Sequence, residues 1–241
     1  MRRRPWAVLL AGAAAALVCI RLGFWQLDRL AQRRATNARV AVRLAQPALA
    51  AESIVAAARH PAALDYRRAR LSGRFDFSRQ VIVVARPLGG RPGVHVVTPL
   101  RLADGTAILV ERGWAPAPDG RTADLAALIE PEEAACDGVL LLPRGPGSAG
   151  AETWPLKVRA VDPALLAPRF PYGVLPVVLR RADSPAGALR PVPLPERTEG
   201  PHLSYAVQWF AFAAIALVGS AALARKTAGG DRGRRETKAA T

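Results

Sequence analysis

Few residues in this chain can do chemistry. Three histidines occur in 241 residues, and one of them, His202, stands at the mouth of an apolar stretch, GPHLSYAVQWFAF, residues 200–212. In a helix that begins near Pro201, His202, Tyr205, Trp209 and Phe212 fall at i, i+3, i+7 and i+10 and share one face. A neutral imidazole is a common metal ligand. Aromatic rings one and two turns further along the same face add flat apolar surface. The other two histidines carry less. His60 precedes Pro61 in a loop, and His95 alternates with Val94 and Val96 in a strand pattern, so both read as structural. Glu132-Glu133 lies in a polar, helix-like run and reads as a solvated face rather than an acid/base pair.

Most familiar chemistry is missing. The chain has no P-loop, no G-x-G-x-x-G after a strand, no H-E-x-x-H and no G-x-S-x-G. Its two cysteines, Cys19 and Cys136, are far apart and form no C-x-x-C, which disfavours a thiol-based copper or zinc carrier. Nothing points to an enzyme. The formal net charge is +15, but the only lysines are Lys157, Lys226 and Lys238, and the arginine excess accompanies heavy alanine and proline use. That pattern reads as compositional bias. Nucleic-acid binding lacks the interleaved basic and aromatic residues it needs.

What must position His202 is a pair of apolar segments. PWAVLLAGAAAALVCI, residues 5–20, carries no charge, and the apolar character resumes from Leu22 to Trp25. About 20 helical residues reach ~30 Å, enough to cross a bilayer. Trp6 and Trp25 bracket the segment and Arg21 snorkels. A signal peptide is the alternative, but the run continues into LGFWQLDRL without a small-residue cleavage site. The second segment, 205–224, is uncharged and is followed by Arg225 and Lys226. On the first segment Gly23 permits close approach of another helix. Phe24 and Leu27 offer apolar surface, and Gln26 can hydrogen-bond across to the second segment. Gln208, inside the second, calls for a partner.

The expected fold is a membrane protein of α+β class, with two transmembrane helices flanking a mainly antiparallel, small barrel-like extracytoplasmic β domain. The divisions are 1–27 for the cytoplasmic N-terminus and first span, 28–204 for the domain, 205–224 for the second span and 225–241 for a basic, disordered cytoplasmic tail. Within 28–204, residues 28–58 read as a helix extending the first span, interrupted near Pro47. Strands are expected at 66–75, 80–86, 93–102, 106–114, 136–142 and 175–182, with a hairpin turn at Ala103-Asp104-Gly105. Short helices are expected at 124–134 and 162–170, with Asp162 as N-cap and Pro163 at the first helical position. Residues 143–151 read as a loop, and the prolines at 191, 193, 195 and 201 as an extended connector.

Two readings of His202 remain open. Tyr205, Trp209 and Trp25 are ordinary interface anchors with a polar boundary residue beside them, or the imidazole ligates a planar amphipathic cofactor such as haem. In the second reading Arg197 or Arg29 pairs with the cofactor's carboxylates.

Three blocks then carry a resemblance. LGFWQLDRLAQR (22–33), GVHVVTPLRLADGTAILVERGWAP (93–116) and PHLSYAVQWFAFA (201–213) resemble, in order, the signature blocks of the SURF1 family of cytochrome oxidase assembly proteins. Residues 120–175 resemble it poorly, and Gly200-Pro201 and Gln208 depart from its pattern. The resemblance implies a non-enzymatic assembly factor of a bacterial inner membrane; two spans and the basic residues before the first and after the second read as placing both termini in the cytoplasm. It implies haem a binding and insertion into oxidase subunit I, with His202 as axial ligand, Tyr205, Trp209 and Trp25 against the haem face, and other oxidase assembly factors as partners. A scaffold without cofactor, or a membrane-tethered sensor, is the alternative. Arg112-Gly113-Trp114, inside the second block, reads as structural, with Gly113 turning the chain and Trp114 packed beneath the sheet or resting on the membrane.

Overall fold

The computed structural model describes residues 5–145, 147, 153–182 and 189–239, with side chains given from 6 to 226 within those ranges. Arg2 to Arg4, residues 146 and 148–151 of the expected loop, and 184–187 lie outside them. The chain divides into two compact units. One holds the residues up to Arg39 together with those from Glu196 onward, and the other is Val40–Pro195. The second is narrower than the 28–204 read from sequence.

The first unit is a helix pair. α1 (Pro5–Ala45) starts on a proline, whose missing N–H costs nothing at a helix start, and stops two residues short of Pro47. α4 (His202–Ala239) continues beyond Ala224, so the backbone is helical where the sequence read a disordered tail. The less exposed positions of α1 include 12, 16, 19, 23, 26 and 30, and those of α4 include 202, 206, 209, 213, 216 and 220. Steps of four and three alternate, which is the spacing of two helices in close contact along one seam. The seam is built from small residues: Ala16, Ala206 and Ala213 are buried in it. At Gly23, an added Cβ would lie 2.7 Å from the ring of Phe210. Phe24 meets the same ring edge-on at 5.4 Å. Beyond the apolar seam the pairing turns polar. Arg33 donates to the Thr198 carbonyl at 3.1 Å, Arg34 makes two 2.9 Å bonds to Glu199, and Asn37 donates to the Arg197 carbonyl at 3.2 Å.

The second unit is a seven-stranded sheet with short helices, α2 (Ala51–Ala57) and α3 (Pro163–Leu166). Its strands are β1 (Arg68–Phe75), β2 (Val81–Val83), β3 (Gly93–Arg101), β4 (Ala107–Pro116), β5 (Glu133–Leu141), β6 (Leu156–Val158) and β7 (Val174–Arg181). The order is β1-β5-β7-β4-β3-β2-β6, and β1 pairs again with β3 through Arg74–Arg101 and Phe75–Leu100. Strands 1, 5, 7, 4 and 3 therefore close a five-membered ring, which removes the free edges of those strands. Antiparallel pairs dominate, but β4–β7 and β2–β6 are parallel, so the sheet is mixed. A parallel pair needs a long crossover, and the crossover between β4 and β7 covers most of residues 120–175, where the sequence blocks show the least resemblance.

Period-two alternation sends neighbouring residues to different cores. On β4, Ile108 and Val110 join a cluster with Ile54, Leu100 and Leu179, while Leu109 joins Val97, Leu156 and Val178. Both faces are covered, which is why this strand reads as a near-continuous apolar run. The expected hairpin turn is present, with Gly105 donating to the Leu102 carbonyl at 3.1 Å and Asp104 accepting from the Thr106 amide at 2.9 Å. Asp162 caps α3, accepting from the Ala164 amide at 3.0 Å. The helix expected at 124–134 reduces to one turn, Ala126–Leu128. Pro131 breaks it, and Glu133 instead begins β5.

Candidate functional site

Within the helix pair, the turn that opens α4 brings His202 against α1. Its Nδ1 lies 2.9 Å from Oε1 of Gln26. An amide oxygen only accepts, so Nδ1 carries a proton, and in the neutral imidazole Nε2 is then the nitrogen with the free lone pair. The ring is thereby fixed in tautomer and in orientation, as a second-shell acceptor does for a metal-binding histidine. Beside it Gly200 has φ +72, and a Cβ there would come 3.4 Å from Nε2. Glycine at that place suits the backbone turn and keeps the Nε2 edge uncrowded.

The structure joins His202 to Gln26 but does not gather all the expected aromatics around the ring. Trp209 is half-buried in the seam, edge-on to Phe212 at 5.9 Å. Tyr205 is 46% and Trp25 44% exposed, facing outward from their helices. The Arg29 guanidinium lies 5.7 Å from the Trp25 ring centre. Gln208 is exposed, and among the described residues its side chain has no partner.

In the sheet unit, the structure reveals charged groups the sequence left as structural. Val96 pairs with Gly113 and Val97 with Glu111, so Arg112 is the extra residue of a β-bulge on β4. The bulge delivers two consecutive charges into two separate buried networks. The Arg112 guanidinium, 1% exposed, bonds Glu130 Oε1 at 2.6 Å and the Leu128 carbonyl, and lies 5.1 Å from the Phe77 ring centre. Arg181 takes the other Glu130 oxygen at 2.6 Å. Burial pulls Arg112 below the ordinary guanidinium value, and Glu130 opposes it. Gly113 does not turn the chain. It is a close-approach position, where a Cβ would meet the Arg190 carbonyl oxygen at 2.8 Å. Trp114 takes the first of its two expected places, buried in the unit, with Nε1 donating to the Arg86 carbonyl at 2.6 Å.

The second network centres on Glu111. His95 Nδ1 donates to its Oε1 at 2.5 Å, and Arg180 Nε donates to its Oε2 at 2.5 Å. Burial pushes the Glu111 carboxyl up, but the hydrogen bond from His95 and the charge of Arg180 outweigh it and hold it below the ordinary glutamate range. The one sequence signal was TAILVERGW itself, an adjacent acid and base inside an apolar strand run. Their partners Glu130, Arg180 and Arg181 are distant in sequence and unmarked.

A glutamate titrates near ~4.3 in the unfolded chain and lower here, so its stabilisation is complete above that pH and is lost as pH falls through the folded value. Glu111→Gln leaves Arg180 half-buried without its counter-charge. It should cost about 3 kcal/mol or more at neutral pH. Thermal midpoints of wild type and variant, followed by circular dichroism, are expected to converge as pH drops below ~4. A gap that stays constant with pH would contradict the assignment.

The profile of the SURF1 family matches residues 13–214. A SURF1-like protein of Rickettsia felis is 30% identical over 99 residues, 40% of this chain and 41% of that protein. A SURF1-like protein of Rickettsia conorii is 29% identical over 99 residues, 40% of this chain and 39% of that protein. One of Dictyostelium discoideum is 40% identical over 50 residues, 21% of this chain and 18% of that protein. The matched stretch thus spans about two fifths of the length of the Rickettsia relatives. With its two apolar helices, closed strand ring and a family match running from one helix into the other, the chain belongs to the SURF1 family.

Proposed function

We propose that this protein is a non-enzymatic membrane assembly factor for cytochrome oxidase, holding haem a through His202 and assisting its insertion into subunit I. Family membership supports the assembly role. The hydrogen bond between His202 and Gln26 carries the haem reading, because it holds the imidazole through Nδ1 and leaves Nε2 as the nitrogen available to a metal. A haem would supply the iron and a flat apolar face at that point. The protein's own residues would hold its position. His202 provides Nε2, Gln26 holds the ring, Trp209, Tyr205 and Trp25 offer aromatic surface along the helices, and Arg29 or Arg197 meets the carboxylates. An imidazole held by one neutral hydrogen bond suits a ligand that must later be handed over.

Both apolar helices are long enough to cross a bilayer, and 11% of each apolar window is buried inside the structure, unlike the core helix of a soluble protein. The remaining faces carry Leu10, Leu17, Val18, Val207, Ile215 and Val218 outward, as lipid contact requires. At 1.5 Å per residue the 41 residues of α1 reach ~60 Å, about twice the hydrocarbon thickness, so its second half stands outside the bilayer. Two spans place both termini on one side. We assign that side to the cytoplasm of a bacterial inner membrane, and the sheet unit to the other.

The test is an absorption spectrum of the detergent-purified protein, from cells with and without haem a synthesis. Wild type is expected to show a haem a spectrum and His202→Ala to lose it. Unchanged occupancy and coordination in His202→Ala would eliminate this ligand, and co-purification with the oxidase without any haem spectrum would replace the reading by a scaffold. A second variant, Gln26→Leu, keeps the imidazole but frees it to rotate. It is expected to weaken haem affinity by about 10- to 100-fold and broaden the spectrum. An affinity equal to wild type would remove Gln26 from the site.

A further inference from the structure

The Glu111 network lines a half-open cleft of about 260 Å³ in the sheet unit. One part of its wall is apolar, including Val161 and Val178. The other presents His95, Arg86, Arg144 and Arg180. We propose that this cleft is a binding site for a small organic oxyanion, a carboxylate or phosphate on an apolar body about the size of one aromatic ring. The proposal is independent of the haem reading.

Three observations carry it. The charge in the cleft is unbalanced. Glu111 is occupied by His95 and Arg180 at 2.5 Å, and Asp65 faces Arg144 at 3.8 Å, but among the described residues Arg86 has no carboxylate partner. Donors remain. A guanidinium carries five N–H groups. Partners within the protein engage two on Arg180, to Glu111 and the Pro193 carbonyl, and one on Arg86, to the Arg159 carbonyl. Side chains are held rather than searching. The Glu111 oxygens are committed to His95 and Arg180, so the carboxylate orients the Arg180 guanidinium instead of repelling an anion. Fixed donors lose little entropy on binding. The size follows from the volume, since a cavity of about 150 Å³ accepts one benzene and this cleft adds room for a head group.

The experiment is calorimetric titration of the full chain in non-ionic detergent with benzoate and with phenyl phosphate, and benzamide as the neutral isostere of benzoate. Saturable binding at one site is expected for at least one anion, and the tighter of the two identifies the head group. Benzamide is expected to bind at least about tenfold more weakly, because it forfeits the charge-assisted bonds. Arg86→Gln with Arg144→Gln, both at the cleft edge and outside the buried ion pairs, should lower anion affinity by about tenfold or more while leaving the thermal midpoint close to wild type. No saturation by either anion at millimolar concentration would overturn the proposal. Equal binding of benzamide, or unchanged affinity in the folded double variant, would do the same.

Discussion

Where Gly23 lacks a side chain, the ring of Phe210 occupies the space, and that close approach governs the helix unit. Two helices with bulky residues along the seam would stand further apart. Small residues let backbones and rings interlock, and that close packing supplies the attraction between the two helices. Ala16, Ala206 and Ala213 continue the seam. Because the spacing alternates between four and three, the seam persists to the first turn of α4 and delivers His202 within hydrogen-bond distance of Gln26. The orientation of the imidazole is thus a consequence of packing several turns away. The Arg34–Glu199 pair and the bonds to the 197 and 198 carbonyls fix the register just beyond it.

The sheet unit answers a different constraint. Closing five strands into a ring leaves little room for charge, yet Glu111 and Arg112 lie next to each other on β4. The bulge separates them into two networks, each with complementary partners. Glu130 is shared between Arg112 and Arg181, and Glu111 between His95 and Arg180. Removing one member of such a network strands a buried charge, so each residue depends on the others being present. Trp114, following the bulge, fills the space left by Gly93, where a Cβ would come 2.3 Å from the indole.

Local signals in the sequence were reliable where the chemistry was local. Pro47 ended α1, Asp104-Gly105 made the hairpin, and Asp162-Pro163 started α3, because each acts on its immediate neighbours. Apolar runs gave six of the strands but not β6, whose three residues, Leu156 to Val158, interrupt their apolar pattern with Lys157. The parallel partnerships were illegible, since period and turn chemistry say nothing about which distant strand pairs with which. The Gln26–His202 contact was half legible. Helical spacing put each on a plausible face, and only the pairing of the helices brings them together. The Glu111 and Arg112 networks were hidden for the same reason, as their partners arrive from β3, β7 and the turn before β5 through long-range topology.

The helix pairing itself is open to direct measurement by cysteine cross-linking in native membranes, with Cys19 and Cys136 replaced by alanine. A Cβ at Gly12 would lie 2.3 Å from the Ser220 Cβ, on the seam, while Val218 is 70% exposed and points away. Gly12→Cys with Ser220→Cys should oxidise to an intramolecular disulfide, and Gly12→Cys with Val218→Cys should not. Equal cross-linking in the two pairs, or none in the first, would contradict the seam and with it the placement of His202.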